Sequence, residues 1–288
     1  MEFACKLQLP HIAVAFDVKE MSYGDFIITQ KYLQNNIPED LFNHFDNLLE
    51  KYVNLKGYTV SALEKLILLT FLRSISKNGE LKLSLKANEV YAFNLPSFIN
   101  TLLKEETLFK RETINGNKCS VVIGPPQKFL YNTIFEYMYS CIHLVKTGNI
   151  VQYYKNLSTD KQEKILEKLP ATFTNYLQSY SEKFEERINK IKVPIPTNPF
   201  VEDANELFLS AKNGILLEIL KLFISSDLNA IYENNYFLIS KAHFSIEDLY
   251  MLTPGEVDIK LSLLQAEIKE MQPTDPPLNT SSIATNMQ

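Results

Sequence analysis

Near the C-terminus two helix starts stand back to back, and they constrain the path of this chain more than any other stretch. Phe244-Ser245-Ile246-Glu247-Asp248-Leu249 is followed, after two residues, by Leu252-Thr253-Pro254-Gly255-Glu256-Val257. Each half has a hydroxyl residue at the N-cap, Ser245 or Thr253, and an acid three residues on, Asp248 or Glu256. The hydroxyl can accept from the N3 amide while the acid reaches back to the cap's own N–H. Apolar residues before each cap and at N4, Phe244 with Leu249 and Leu252 with Val257, can fix the entry angle. Pro254 at N1 gives up an N–H that the helix does not use. A short helix should therefore turn sharply into a longer one. In the longer helix Val257, Leu261, Leu264, Ile268 and Met271 step by four, three, four and three, as on a heptad seam. That seam packs on its own domain or on a partner.

The rest reads as mostly helical. Ser22 with Asp25 opens a helix to about Asn35, and Pro38-Glu39-Asp40 opens a second with acids in its first turn. Ser61 with Glu64 opens a third, whose apolar residues cover most of its circumference, as in a buried central helix. Leu81 to Lys86 alternates as a half-buried strand does, and Leu7 to Phe16 reads as an edge strand or extended arm. Pro96 to Lys104 is a short helix. Asn115-Gly116 between two apolar runs predicts a hairpin with a type I′ turn. Lys128 to Lys146 is expected to be a helix ended by Gly148, followed by helices at Thr159–Leu169 and Thr172–Ile191. Helices near Asp203–Ser225 and Leu228–Lys241 precede the double cap.

These readings give a predominantly α-helical α+β chain with a small antiparallel sheet. The expected division is an N-terminal α+β domain at 1–125, a central helical region at 126–192 and a Pro-rich connector at 193–200. A C-terminal helical domain at 201–272 and a disordered tail at 273–288 complete it.

Few residues suggest chemistry. Cys141 and His143 form the only close Cys/His pair, and on a helix this spacing points them to different faces, so no metal site is expected. Gly124-Pro125-Pro126-Gln127-Lys128 lies between a strand and a helix. Prolines there remove the amides that would cradle a phosphate, and it reads as a turn. No nucleophile motif is present, and adjacent acids such as Glu105-Glu106 and Glu185-Glu186 read as solvated faces. Catalytic, cofactor and metal residues are thus expected to be none. The net charge of −5 and only three arginines, Arg73, Arg111 and Arg187, argue against specific nucleic-acid binding. Cys5, Cys119 and Cys141 do not make a disulfide framework and suggest a reducing compartment. No signal peptide and no apolar run long enough for a bilayer are visible.

Several segments together carry a resemblance. They are Leu9-Pro10, then Tyr58-Thr59-Val60 before Glu64-Lys65-Leu66-Ile67-Leu68-Leu69, then the hairpin ending in Ile123-Gly124-Pro125-Pro126. Leu157-Ser158-Thr159 and Lys161-Gln162-Glu163-Lys164 follow, leading to Leu169-Pro170-Ala171. The order resembles the baseplate hub and hub-assembly proteins of T4-like contractile-tailed phages, and the double cap resembles the ends of phage tail-assembly proteins. The resemblance implies a non-enzymatic hub subunit, or a chaperone-like assembly factor holding hub subunits until they join. Its partners would be other tail and hub proteins, with no nucleic acid or membrane; self-association stays open. Its place would be the host cytoplasm during assembly or the virion baseplate. The expected contact residues are Phe244, Ser245, Asp248, Thr253, Pro254, Glu256 and Val257 at the double cap, and Leu261, Leu264 and Ile268 on the last helix. Two other classes stand beside this one: a generic intracellular helical adaptor, and an enzyme whose site is assembled from distant residues.

Overall fold

Ser61 shows how local chemistry starts the central helix. Its Oγ accepts from the Glu64 amide at 3.2 Å, while its own N–H donates to Glu64 Oε2 at 2.5 Å. The helix that follows, α3 (Ala62–Ser76), buries Leu63, Leu66, Ile67 and Leu68 completely. Each such side chain contributes about 1.5–3 kcal/mol on leaving water. The computed structural model describes residues 5–86, 89–189, 192–194, 206–208 and 215–271. Before α3 come α1 (Tyr23–Asn35), capped by Ser22, and α2 (Pro38–Tyr52), with Pro38 in its first turn. After it comes α4 (Leu95–Glu106), capped by the Asn94 side chain.

The strands are short and antiparallel. β1 (Cys5–Leu7), β2 (Phe16–Val18) and β3 (Val53–Asn54) form one sheet in that order. The stretch Leu7 to Phe16, expected as an edge strand or extended arm, runs from the end of edge strand β1 to the central strand β2, with Leu9, Ile12 and Phe16 buried. β4 (Glu80–Lys86) pairs with β5 (Glu89–Asn94). β6 (Glu112–Asn115), β7 (Ser120–Ile123), β8 (Ile142–Thr147) and β9 (Ile150–Tyr153) make a four-stranded meander.

Two expectations about this meander are corrected. The helix expected over Lys128–Lys146 exists only as α5 (Ile134–Ser140). Ile142-His143-Leu144-Val145 instead joins β7, where a run rich in β-branched residues fits the pleated surface. Gly148, expected to end a helix, has φ +60° and begins a two-residue link from Thr147 to its partner Ile150. A glycine first in such a link suits a primed hairpin turn. Asn115-Gly116 is not that tight turn: Asn115 pairs with Ser120 across a four-residue loop, and Lys118 takes the positive φ. Gly116 is needed for close approach instead. A Cβ there would lie 2.5 Å from the Lys168 carbonyl oxygen, which also accepts from the Asn117 amide at 2.7 Å.

A 3-10 turn at Tyr154–Asn156 leads to α6 (Thr159–Leu166) and α7 (Phe173–Ile188). β10 (Lys192–Pro194) pairs with β11 (Glu206–Phe208), so within the helix expected over Asp203–Ser225 the described residues begin with a strand, and α8 (Ile215–Ile224) is helical as expected. Of the expected connector, 195–200 lies outside the described residues, as does the expected tail at 273–288. α9 (Leu228–Ala242), α10 (Ile246–Met251) and α11 (Pro254–Met271) complete the described residues.

Among the described residues the side chains form two hydrophobic cores. The first joins side chains from Leu7 to Phe109 with Phe129, Phe184 and Ile188, and with Leu216 to Leu261. The helices after the connector therefore complete the N-terminal core; stacked Phe93 and Phe223, 4.9 Å apart, mark the joint. The second core, from Cys119 to Leu177, lies between the meander and α5–α7.

Candidate interaction surface

The two caps form unequally. At α11, Glu256 N–H donates to Thr253 Oγ1 at 3.2 Å and Thr253 N–H donates to Glu256 Oε2 at 2.8 Å, a reciprocal box. At α10, Asp248 N–H donates to Ser245 Oγ at 3.0 Å, but the Ser245 hydroxyl itself donates to Asp248 Oδ2 at 2.8 Å.

Both starts are clamped onto the first core. Tyr23 N–H donates to the Leu252 carbonyl at 2.6 Å, and the Tyr250 side chain lies 3.3 Å from where a Cβ on Gly24 would be. Gly255 approaches the end of α3 so closely that a Cβ would sit 2.8 Å from the Lys77 carbonyl oxygen. The positive end of α11 thus meets the negative end of α3, an arrangement favoured by both dipoles. Asp258 adds an ion pair to Lys77 at 3.6 Å, and its charge partly opposes the burial that lowers buried Arg73 to about 10.

The sequence-expected contact residues divide accordingly. Pro254 is buried, and Val257 and Leu261 lie in the chain's own first core, so the seam begins by pointing inward. Phe244, Thr253, Leu264 and Ile268 are half-buried, with Lys260 Nζ 5.0 Å from the Phe244 ring centroid. Ser245, Asp248 and Glu256 are exposed. Sequence reasoning missed a second set: Ile246, Tyr250, Met251, Ile259 and Leu263 are large apolar side chains left in solvent, Met251 at 82% exposure. Ile259 and Leu263 are four residues apart and share one face of α11. Their signal was available as apolar residues that do not fit the seam.

Shifted acid–base groups gather elsewhere, where α3 meets the start of the meander. Arg111 Nη2 donates to both oxygens of buried Glu64, at 3.0 and 3.2 Å, and to the Thr59 carbonyl at 3.3 Å. Burial, and then the Glu64 carboxylate, push Glu106 up to about 8, against the pull of Arg111. Burial, and then the Arg111 charge, hold His143 down to about 3, so it is neutral. Its Nε2 donates to the Pro125 carbonyl at 2.7 Å, and Nδ1 has no partner. Glu64, Glu106 and His143 are each 1% exposed, which closes the cluster to a solute and makes it a joint between the cores. His143 lies on a strand rather than the expected helix, and Cys141 donates its thiol to Tyr137 O at 3.8 Å. Among the described residues no group of three or more His, Cys, Asp or Glu could hold a metal ion, and no helix is long and apolar enough to cross a membrane.

A family model described as T4 bacteriophage base plate protein matches residues 10–199. No curated protein and no solved structure matches the chain. The matched span contains the whole second core and ends before α8–α11, so the double-capped surface lies beyond it.

Proposed function

We propose a role that starts from membership: the chain belongs to the T4 bacteriophage base plate protein family. As a base plate protein it has a structural part in the phage tail. Our finer reading is a hub subunit, or a factor that assembles the hub, acting through protein contacts without catalysing a reaction. The observation that carries it is the family match over 10–199. The contact surface we assign is the outer side of α10 and α11, where Ile246, Tyr250, Met251, Ile259 and Leu263 stand exposed on a frame capped twice and clamped to α1 and α3. Apolar side chains left in water on a rigid frame suit burial by another tail protein. Ser245, Asp248 and Glu256 supply the polar rim, and Leu264 and Ile268 extend the surface along α11.

The test is tagged capture from infected cells, with mass spectrometry of purified particles alongside. Tail proteins captured with the tagged chain, which is itself found in particles, are the result for a hub subunit. The same partners without the chain in particles give an assembly factor. Capture of no tail protein overturns both. Met251→Asp, at an exposed position, is expected to abolish capture while leaving the melting temperature within about 1–2 °C.

A further inference from the structure

Between the two cores lies a cleft of about 420 Å³, separate from the α10–α11 surface. Its charged and amide groups come from distant parts of the sequence: Asp46 on α2, Lys65 on α3, Gln127 and Lys128 after β7, Glu136 on α5 and Lys155 in the 3-10 turn. Lys65 is 9% exposed, with its ammonium 2.6 Å from Asp46 Oδ1 and 4.7 Å from the Phe42 ring centroid. Lys128 Nζ lies 2.5 Å from Glu136 Oε1. Lys155 is exposed and makes no ion pair among the described residues. Three ammoniums thus face two carboxylates, leaving one positive charge in excess.

Gln127 adds a second, independent observation. Its Nε2 donates to the carbonyls of Ser140 at 3.0 Å and Ile142 at 2.9 Å, which fixes which end of the amide is which. Its Oε1 is buried without a partner in a residue 7% exposed. A buried acceptor left unpaired is unfavourable and calls for a donor.

We propose that this cleft binds a short peptide segment of a partner protein carrying one acidic residue. The carboxylate lies at Lys155 beside Lys65 and Lys128, a backbone N–H of the segment donates to Gln127 Oε1, and flanking aliphatic atoms rest on the half-buried rings of Phe42 and Tyr139. A single carboxylate matches the one uncompensated positive charge, and the segment's own backbone supplies the N–H for Gln127. Burial lowers the Lys65 pKa, Asp46 opposes it, and Lys155 and Lys128 add to the lowering; an incoming carboxylate relieves that repulsion.

The test titrates the full, nitrogen-15-labelled chain with acetyl-Leu-Asp-Leu-amide and follows the Gln127 side-chain amide signal. The expected result is a saturable shift at Gln127, about tenfold weaker binding of acetyl-Leu-Asn-Leu-amide, and no competition from inorganic phosphate at equal concentration. Lys155→Gln, at an exposed position that leaves folding intact, should weaken the aspartyl peptide about tenfold. Lys241→Gln, outside the cleft, should not change it. No shift at Gln127, equal binding of the asparaginyl peptide, displacement by phosphate, or full affinity in Lys155→Gln each overturns the proposal.

Discussion

The two cores are built by different means. The first is assembled from helices whose starts are written locally. Ser22, Ser61 and Thr253 each accept from an amide three residues on, and the chain's later helices then close over α1 and α3. The second is a four-stranded meander with helices on it, whose stability depends on pairing residues such as Val121 with Val145. Helix starts can be specified within a few residues, whereas a strand is defined only with its partner. The difference teaches that the first core should be the more cooperative unit, since both ends of the described chain must pack before it is complete. The second core, smaller and contiguous in sequence, should open on its own first.

Substitutions inside each core test this most strongly. Phe223→Ala empties a site that touches Phe93 and Phe98, with ring centroids 4.9 and 4.7 Å away. It should destabilise by about 3–5 kcal/mol. Leu177→Ala in the second core should destabilise by about 2–5 kcal/mol. Native-state hydrogen exchange separates the two effects. Leu177→Ala should speed exchange in β7 and β8 while leaving α3 amides near their original rate; Phe223→Ala should speed α3 while leaving β7 and β8, which open locally, near theirs. Equal acceleration of α3 by both substitutions would mean that the cores open as one.

The joint between the cores gives the next largest effect, and it depends on pH. Glu106 has its ordinary value of 4.5 in the unfolded chain and about 8 in the folded one. Between those values the folded state holds a proton that the unfolded state has released, so stability falls as pH rises through the window and levels off above it. Glu106→Gln removes this dependence. The expected outcome is a variant more stable than the parent at pH 8 by an amount on the order of a few kcal/mol, with little difference near pH 4.5. Urea midpoints at the two pH values decide it, and parallel pH profiles for parent and variant would rule it out.

This joint also marks the limit of what could be read from the sequence. Ser61 and Glu64 announced their helix because both partners lie within one turn. Arg111, 47 positions from Glu64, gives no local sign that it will pair there. Ile142 to Val145 was misread as helix because a short apolar run has no period that separates a buried strand from a buried helix. Gly148-Asn149 carried a legible hairpin signal, but the same glycine also fits a helix end, and only the partner strand Ile150–Tyr153 separates the two. On the candidate surface the seam from Val257 to Ile268 was legible as apolar spacing, but not its direction, which is set by what α1 and α3 leave uncovered.

Glycines at close approaches offer one test in each core at similar local geometry. Gly116→Ala would put a Cβ 2.5 Å from the Lys168 carbonyl oxygen, and Gly255→Ala one 2.8 Å from the Lys77 carbonyl oxygen. Both neighbours are backbone, so each substitution forces a shift of main chain. We expect about 1–3 kcal/mol for each, with Gly116→Ala the larger and confined to the second core. Gly255→Ala should in addition loosen the clamp beneath the α10–α11 surface and weaken capture of tail proteins. A Gly255→Ala chain that is destabilised but captures normally would uncouple that clamp from binding.

The smallest effect belongs to the caps, and it divides the first core within itself. Thr253 takes part in a full reciprocal box, so Thr253→Ala removes a bond to the Glu256 amide and leaves the carboxylate to hold the other alone. That should cost about 1 kcal/mol, or about 2–4 °C in melting temperature for a chain of this length. The Ser245 hydroxyl makes only one bond to the backbone and is otherwise spent on the Asp248 carboxylate in solvent, so Ser245→Ala should cost less, about 0.5 kcal/mol. The order matters more than the sizes. If the reciprocal box sets the angle at which α11 leaves the clamp, Thr253→Ala should weaken capture as well as stability, while Ser245→Ala leaves capture nearly unchanged. Equal small losses in both would make the caps interchangeable stabilisers, and the frame would then be set by Gly24 and Gly255 pressed against their neighbours. No change in melting temperature or capture when both hydroxyls are removed would mean that the packing of Leu249 and Val257 alone fixes the turn.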